Sequence, residues 1–82
     1  EPMDSFDTVL NLIKEFRFKT DDDIVIYSGY TKEEIKDKIA ILKLFDNIVI
    51  KYGRYIPNQE PHYDNVLGVN LISDNQYAER IS

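Results

Sequence analysis

The stretch Ile24–Ile35, IVIYSGYTKEEI, decides the fold. Its first four residues are a continuous apolar run rich in β-branched side chains, without polar alternation. That pattern predicts a strand covered on both faces. Thr31-Lys32-Glu33-Glu34 then forms a capping box. The Thr31 hydroxyl can accept the Glu34 amide hydrogen, and the Glu34 side chain can return the bond. Tyr30 before the cap and Ile35 after it suit a hydrophobic staple. Ile35, Ile39 and Leu42, flanked by Ile41 and Leu44, mark the buried face of the helix that follows. Glu34 and Lys38 stand in the favourable i,i+4 order on its surface. Beyond Phe45-Asp46-Asn47, the run Ile48-Val49-Ile50 repeats the buried-strand pattern, and Lys51-Tyr52-Gly53 closes it. Strand, helix and strand within this span predict a βαβ unit whose strands are parallel neighbours joined by a right-handed crossover.

Outward from that unit, Ser5 to about Phe18 carries Phe6, Val9, Leu10, Ile13 and Phe16 at helical spacing, with Asp4 or Ser5 as cap. Asp21-Asp22-Asp23 reads as a solvated turn leading into the strand. After Gly53, the polar stretch Asn58–Asn65 between and beyond Pro57 and Pro61 predicts a long loop. Val66–Ile72 fits either strand or loop, and a short closing strand is expected in the tail, Ser73–Ser82. The whole is expected to be α/β, with a parallel sheet built on the βαβ unit.

Composition narrows the function classes. At 82 residues the chain is one domain at most, and a domain of this size buries only roughly 60% of its unfolded surface. Its apolar share of 43% is that of a globular chain, which argues against disorder. A net charge of −5 with interleaved signs argues against a nucleic-acid surface. There is no cysteine, which excludes disulfides, thiolate metal sites and a cysteine nucleophile within these residues. No apolar run approaches a membrane span and no signal peptide is visible. A cytoplasmic setting is expected, and the opening Glu1-Pro2 suggests a fragment of a longer protein.

Ligands of parallel sheets bind at the strand carboxyl ends. Two turns are expected to meet there, Ser28-Gly29-Tyr30 and Gly53-Arg54-Tyr55. Gly29 lets backbone approach a ligand, and the Ser28 hydroxyl and Gly29 amide can donate to a carboxylate or ribose. The lone His62 lacks any partner for metal binding or acid–base work and reads as a surface residue. No catalytic residue and no metal ligand is identified.

Four motifs in order resemble a known family. Glu1-Pro2 before an amphipathic helix resembles the end of the Gly-Gly-Glu-Pro motif of radical S-adenosylmethionine (SAM) enzymes. Ile26–Tyr30 is similar to the Tyr-Thr-Gly-Tyr strand end of the anaerobic ribonucleoside-triphosphate reductase activating proteins. DNIVIKYGRYI, residues 46–56, resembles their next strand and turn, and Ser73–Gln76 resembles their Ser-Asn-Gln signature. The resemblance implies a partial (βα) barrel, of which this chain would be the C-terminal half. It implies a parent whose iron–sulfur cluster (4Fe-4S), on a Cys-x3-Cys-x2-Cys loop, cleaves SAM to generate a glycyl radical on the reductase, its partner. Glu1 would belong to the motif receiving the SAM amino group, with Ser28, Gly29 and Tyr30 near its carboxylate or ribose. Asn75 and Gln76 match the signature without an evident role, and Tyr52 stands where many members have aspartate. The cysteine loop and first strands are missing, so the fragment itself is expected to be inactive. Its cut edge, at Ile24–Tyr27 or its neighbour, is expected to invite self-association. The competing reading is a small non-enzymatic α/β interaction module.

Overall fold

A computed structural model describes all 82 residues, 1–82. The chain enters through a 3₁₀ turn, Pro2–Ser5, and continues into helix α1, Phe6–Lys19. Ser5 makes no capping bond; the Glu1 carboxylate instead accepts the Met3 amide at 2.9 Å and caps the 3₁₀ turn. Strand β1 (Ile24–Tyr27), helix α2 (Lys36–Leu42) and strand β2 (Ile48–Tyr52) form the βαβ unit. Strands β3 (His62–Asp64), β4 (Val69–Leu71) and β5 (Tyr77–Arg80) follow.

β1 and β2 pair in parallel, Ile24 opposite Ile48 and Tyr27 opposite Lys51. β5 adds antiparallel to the other side of β2, giving the order β1-β2-β5. The sheet is therefore mixed, where a parallel sheet was expected. The chain leaves β2 at Gly53 and re-enters the sheet beside that same turn, where Gln76 Nε2 donates to the Gly53 carbonyl, so β5 runs back along β2 antiparallel. The expected long loop contains β3, which pairs with β4 as a separate hairpin. Asp64 organises that hairpin: its carboxylate accepts the Val66 and Leu67 amides at 3.0 and 2.9 Å, and the Ala78 amide of β5 at 2.8 Å. His62 is half-buried in β3 rather than a plain surface residue, with a buried Nδ1 that has no partner.

Register divides the sheet into two faces. Ile26, Ile48, Ile50 and Tyr52 meet Ile13, Ile35, Ile39 and Leu42 from the helices and form the core. β2 is buried on both faces, as its sequence predicts. β1 is not: Val25 is 44% and Tyr27 53% exposed. The two runs read alike, but β1 lies at the edge of the sheet and β2 at its centre. The Ile24 and Ser28 amides point to β2, bonding Asn47 and Lys51 carbonyls at 2.9 and 2.8 Å. The alternate amides of Val25 and Tyr27 thus face outward along an open edge.

The capping box forms, with Thr31 N–H to Glu34 at 2.9 Å and Glu34 N–H to the Thr31 hydroxyl at 3.2 Å. It closes a turn ahead of α2, which is shorter than its apolar pattern suggests. Glu34 does not pair with Lys38; its carboxylate reaches Arg54 at 3.2 Å. No helix is long and apolar enough to cross a membrane.

Candidate functional site

Four segments far apart in sequence meet at the carboxyl ends of β1 and β2. The first is Glu1. Its Oε1 accepts the Gly29 amide at 2.6 Å, and the Ser28 hydroxyl donates to the carboxylate at 3.2–3.3 Å. Burial opposes the charge on Glu1. The bonds from Met3, Gly29 and Ser28 outweigh it and hold the carboxyl below the ordinary carboxylate range. The donors expected to serve a ligand carboxylate or ribose are therefore engaged by a side chain of the same chain. Ser28, almost wholly buried, also accepts the Tyr30 amide at 3.0 Å, which sets the turn.

Tyr30 is the second segment's landmark. Its hydroxyl donates to Asp4 at 2.5 Å, which with burial raises the phenol above its usual range. The Arg54 guanidinium lies over its ring, 5.4 Å from the centre. The Tyr30 carbonyl accepts the Gly53 amide at 3.0 Å, so the two glycine turns are neighbours.

The third segment is the turn at Gly53, with φ +96°. The fourth, Ser73–Gln76, closes on it. Asn75 Nδ2 donates to the Arg54 carbonyl at 2.7 Å, the Ser73 hydroxyl to the same oxygen at 3.4 Å, and Gln76 Nε2 to the Gly53 carbonyl at 3.3 Å. Asn75 and Gln76 had no role assignable from spacing. Their position makes them a clamp that holds the turn after β2 and delivers the chain into β5. Tyr52, at the aspartate position of the resemblance, is buried against Tyr77 with ring centres 5.0 Å apart and donates to Glu79 at 3.2 Å. Burial pushes its phenol far up, so it serves packing rather than acid–base chemistry.

Sequence reasoning missed Lys51. It is only 8% exposed, on the sheet face shared with Tyr27, whose ring centre is 5.8 Å from Nζ. Nζ donates to the Gly53 carbonyl at 2.9 Å and no carboxylate pairs with it. Burial pushes the ammonium down from its usual range, and the charge of Glu1 partly offsets this. A lysine inside a strand that reads as buried on both faces was the signal available in the sequence.

The largest surface groove, about 560 Å³, runs along α2 from Thr31 and Lys32 to Lys43 and Tyr77 and is not lined by Glu1, Ser28, Gly29 or Lys51. A second, of about 330 Å³, runs between α1 and the open edge of β1 and is lined by Val9, Leu12, Phe16, Ile24 and Val25. It is apolar and continuous with the outward backbone groups of β1.

The sequence profile of a family described as 4Fe-4S single cluster domain matches residues 1–77. Neither a curated protein nor a solved structure matches the chain. The residues present do not fit such a cluster. Its usual ligands are cysteine thiolates, and this sequence has none. No group of three histidine or carboxylate side chains converges to replace them.

Proposed function

The chain belongs to the 4Fe-4S single cluster domain family, and on that premise we propose that it is the cysteine-free, ligand-seating portion of a radical-SAM activating enzyme. The parent would generate a glycyl radical on anaerobic ribonucleoside-triphosphate reductase, with the cluster carried by residues outside these 82. The chain alone is inactive in this reading. Its part is to seat the SAM headgroup at the carboxyl ends of β1 and β2, with Glu1, Ser28, Gly29 and Tyr30 at the mouth.

One observation carries the reading. The four motifs that resemble the activating proteins are scattered from Glu1 to Gln76, yet they converge on one end of one parallel strand pair. Glu1 touches the Ser28-Gly29 turn, and Asn75 and Gln76 clamp the Gly53-Arg54 turn. The open edge of β1 adds support. It is apolar, lacks any proline or lysine to blunt it, and adjoins an apolar groove. Such an edge suits a further parallel strand and helix of a (βα) barrel better than solvent.

The test is anaerobic complementation. The chain is mixed with the polypeptide encoded upstream of Glu1, and 5′-deoxyadenosine and the glycyl radical on the reductase are measured. Neither product is expected from the chain alone, and both from the mixture. Val25→Lys, which places a charge on the open edge, should weaken complementation. An upstream segment without Cys-x3-Cys-x2-Cys, or a mixture that cleaves no SAM, would refute the reading and leave a non-enzymatic module.

A further inference from the structure

Lys51 presents a physical problem that packing does not solve. A buried ammonium without a counter-ion is costly, and an apolar side chain of similar length would fill the space more cheaply. Lysine has three donors, and only one is used, on the Gly53 carbonyl. The other cations near this end of the sheet are already matched: Arg54 with Glu34, and Lys32 with Glu79. The neutral donors expected to hold an anion, the Ser28 hydroxyl and the Gly29 amide, are spent on Glu1. Among the side chains, Lys51 is left as the positive group with unused donors at the strand ends. It lies close enough to Glu1 for that carboxylate to favour its charged form.

We propose that Lys51 is the anion anchor of the site, receiving the carboxylate of an α-amino-acid headgroup whose ammonium is taken by Glu1. A fixed negative group and a fixed positive group on neighbouring elements match the charges of a zwitterion. Three donors already occupy the Glu1 carboxylate, from Met3, Ser28 and Gly29. A carboxylate offers about four lone-pair sites, so room remains for one ammonium hydrogen. The Tyr27 ring beside Nζ gives the aliphatic part of the headgroup an apolar surface. The Gly53 carbonyl accepts from the Lys51 ammonium and fixes its position, and the Asn75–Gln76 clamp holds the Gly53 turn. Lys51 is thereby tied to the tail signature.

The inference rests on the ligand class proposed above, and its test separates the two. The probes are S-adenosylhomocysteine, its decarboxylated analogue, and 5′-methylthioadenosine, titrated into the labelled chain and followed by NMR. Movement of the Ser28 and Gly29 amides reports on the site, and the Lys51 Cε resonance reports on the anchor. The wild-type chain is expected to bind S-adenosylhomocysteine roughly 10–100-fold tighter than the decarboxylated analogue, the span of one charge-assisted hydrogen bond. Only the carboxylate-bearing probe should move Lys51 Cε. Lys51→Met should collapse the ratio towards one while leaving 5′-methylthioadenosine affinity unchanged, and Lys51→Arg should restore part of it. If the amides respond but the ratio survives in Lys51→Met, or Cε moves equally with both probes, Lys51 is not the anchor and the site reading stands. If no probe moves Ser28 or Gly29, both fall. Should Lys51→Met fail to fold, the wild-type ratio and Cε response still decide.

Discussion

Replacing the three glycines one at a time by alanine tests how the mouth is held. Gly53 has φ +96°, which an L side chain rarely adopts, at a cost of roughly 1–2 kcal/mol. A Cβ there would also lie 2.8 Å from the Asn75 carbonyl and 3.0 Å from its Nδ2. The first neighbour is backbone and cannot swing aside. The clamp must shift, weakening the Asn75 bond to the Arg54 carbonyl by about 1 kcal/mol more. Gly53→Ala should therefore cost about 2–3 kcal/mol, a large part of the roughly 4–12 kcal/mol that a chain of this length possesses. Gly68→Ala meets only the Tyr63 hydroxyl at 3.7 Å, ordinary contact, but has φ +72°. It should lose only about 1–2 kcal/mol. Gly29→Ala meets the Arg54 Cγ and Glu1 Oε1 at 3.5 Å, ordinary contact without positive φ. It should be neutral, or stabilising by about 0.5 kcal/mol through the unfolded chain. Urea unfolding of the three variants, with midpoints compared at a common slope, measures the series. A Gly53→Ala variant within about 0.5 kcal/mol of wild type, or a Gly29→Ala variant as damaged as Gly53→Ala, would refute the clamp.

Two further outcomes follow from individual carboxylates. The Glu1 carboxyl is held below its ordinary value near 4.5, so its stabilising effect is present above that pH and lost as pH falls through the folded-state value. Wild type should accordingly exceed Glu1→Gln in stability at neutral pH and converge with it in acid; a pH-independent difference in urea midpoint would contradict this. Asp64→Ala removes the acceptor for three amides, two in the hairpin and one on β5, and should cost about 2–4 kcal/mol. Hydrogen exchange should then accelerate at Val66, Leu67 and Ala78 and little in α1; uniform acceleration would mean that the hairpin is not held locally.

Part of this architecture is local and could be read directly. The β-branched runs at Ile24–Tyr27 and Ile48–Ile50, the helical spacing of Phe6 to Phe16, and the Thr31–Glu34 box each depend on residues a few positions apart. All appear in the structure close to their expected places. The convergence of Ser28-Gly29-Tyr30 with the Gly53 turn was also legible, because a right-handed βαβ crossover brings the same ends of parallel strands together. Decisions that rest on distant neighbours belonged to the tertiary structure. Two strands of equal apolarity differ in exposure because one ends the sheet and the other has a partner on each side. Asn75 and Gln76 are polar residues in a polar tail until their amides meet the carbonyls of Gly53 and Arg54, some twenty positions upstream. Ser28 and Gly29 were read as donors to a ligand, and in the fold both donate to Glu1, brought in by the path of α1. A lysine inside a strand that reads as buried on both faces was visible in the sequence, but whether Lys51 has a counter-ion depends on what surrounds it. Burial without a counter-ion is a property of the assembled sheet, and sequence spacing carries no record of it.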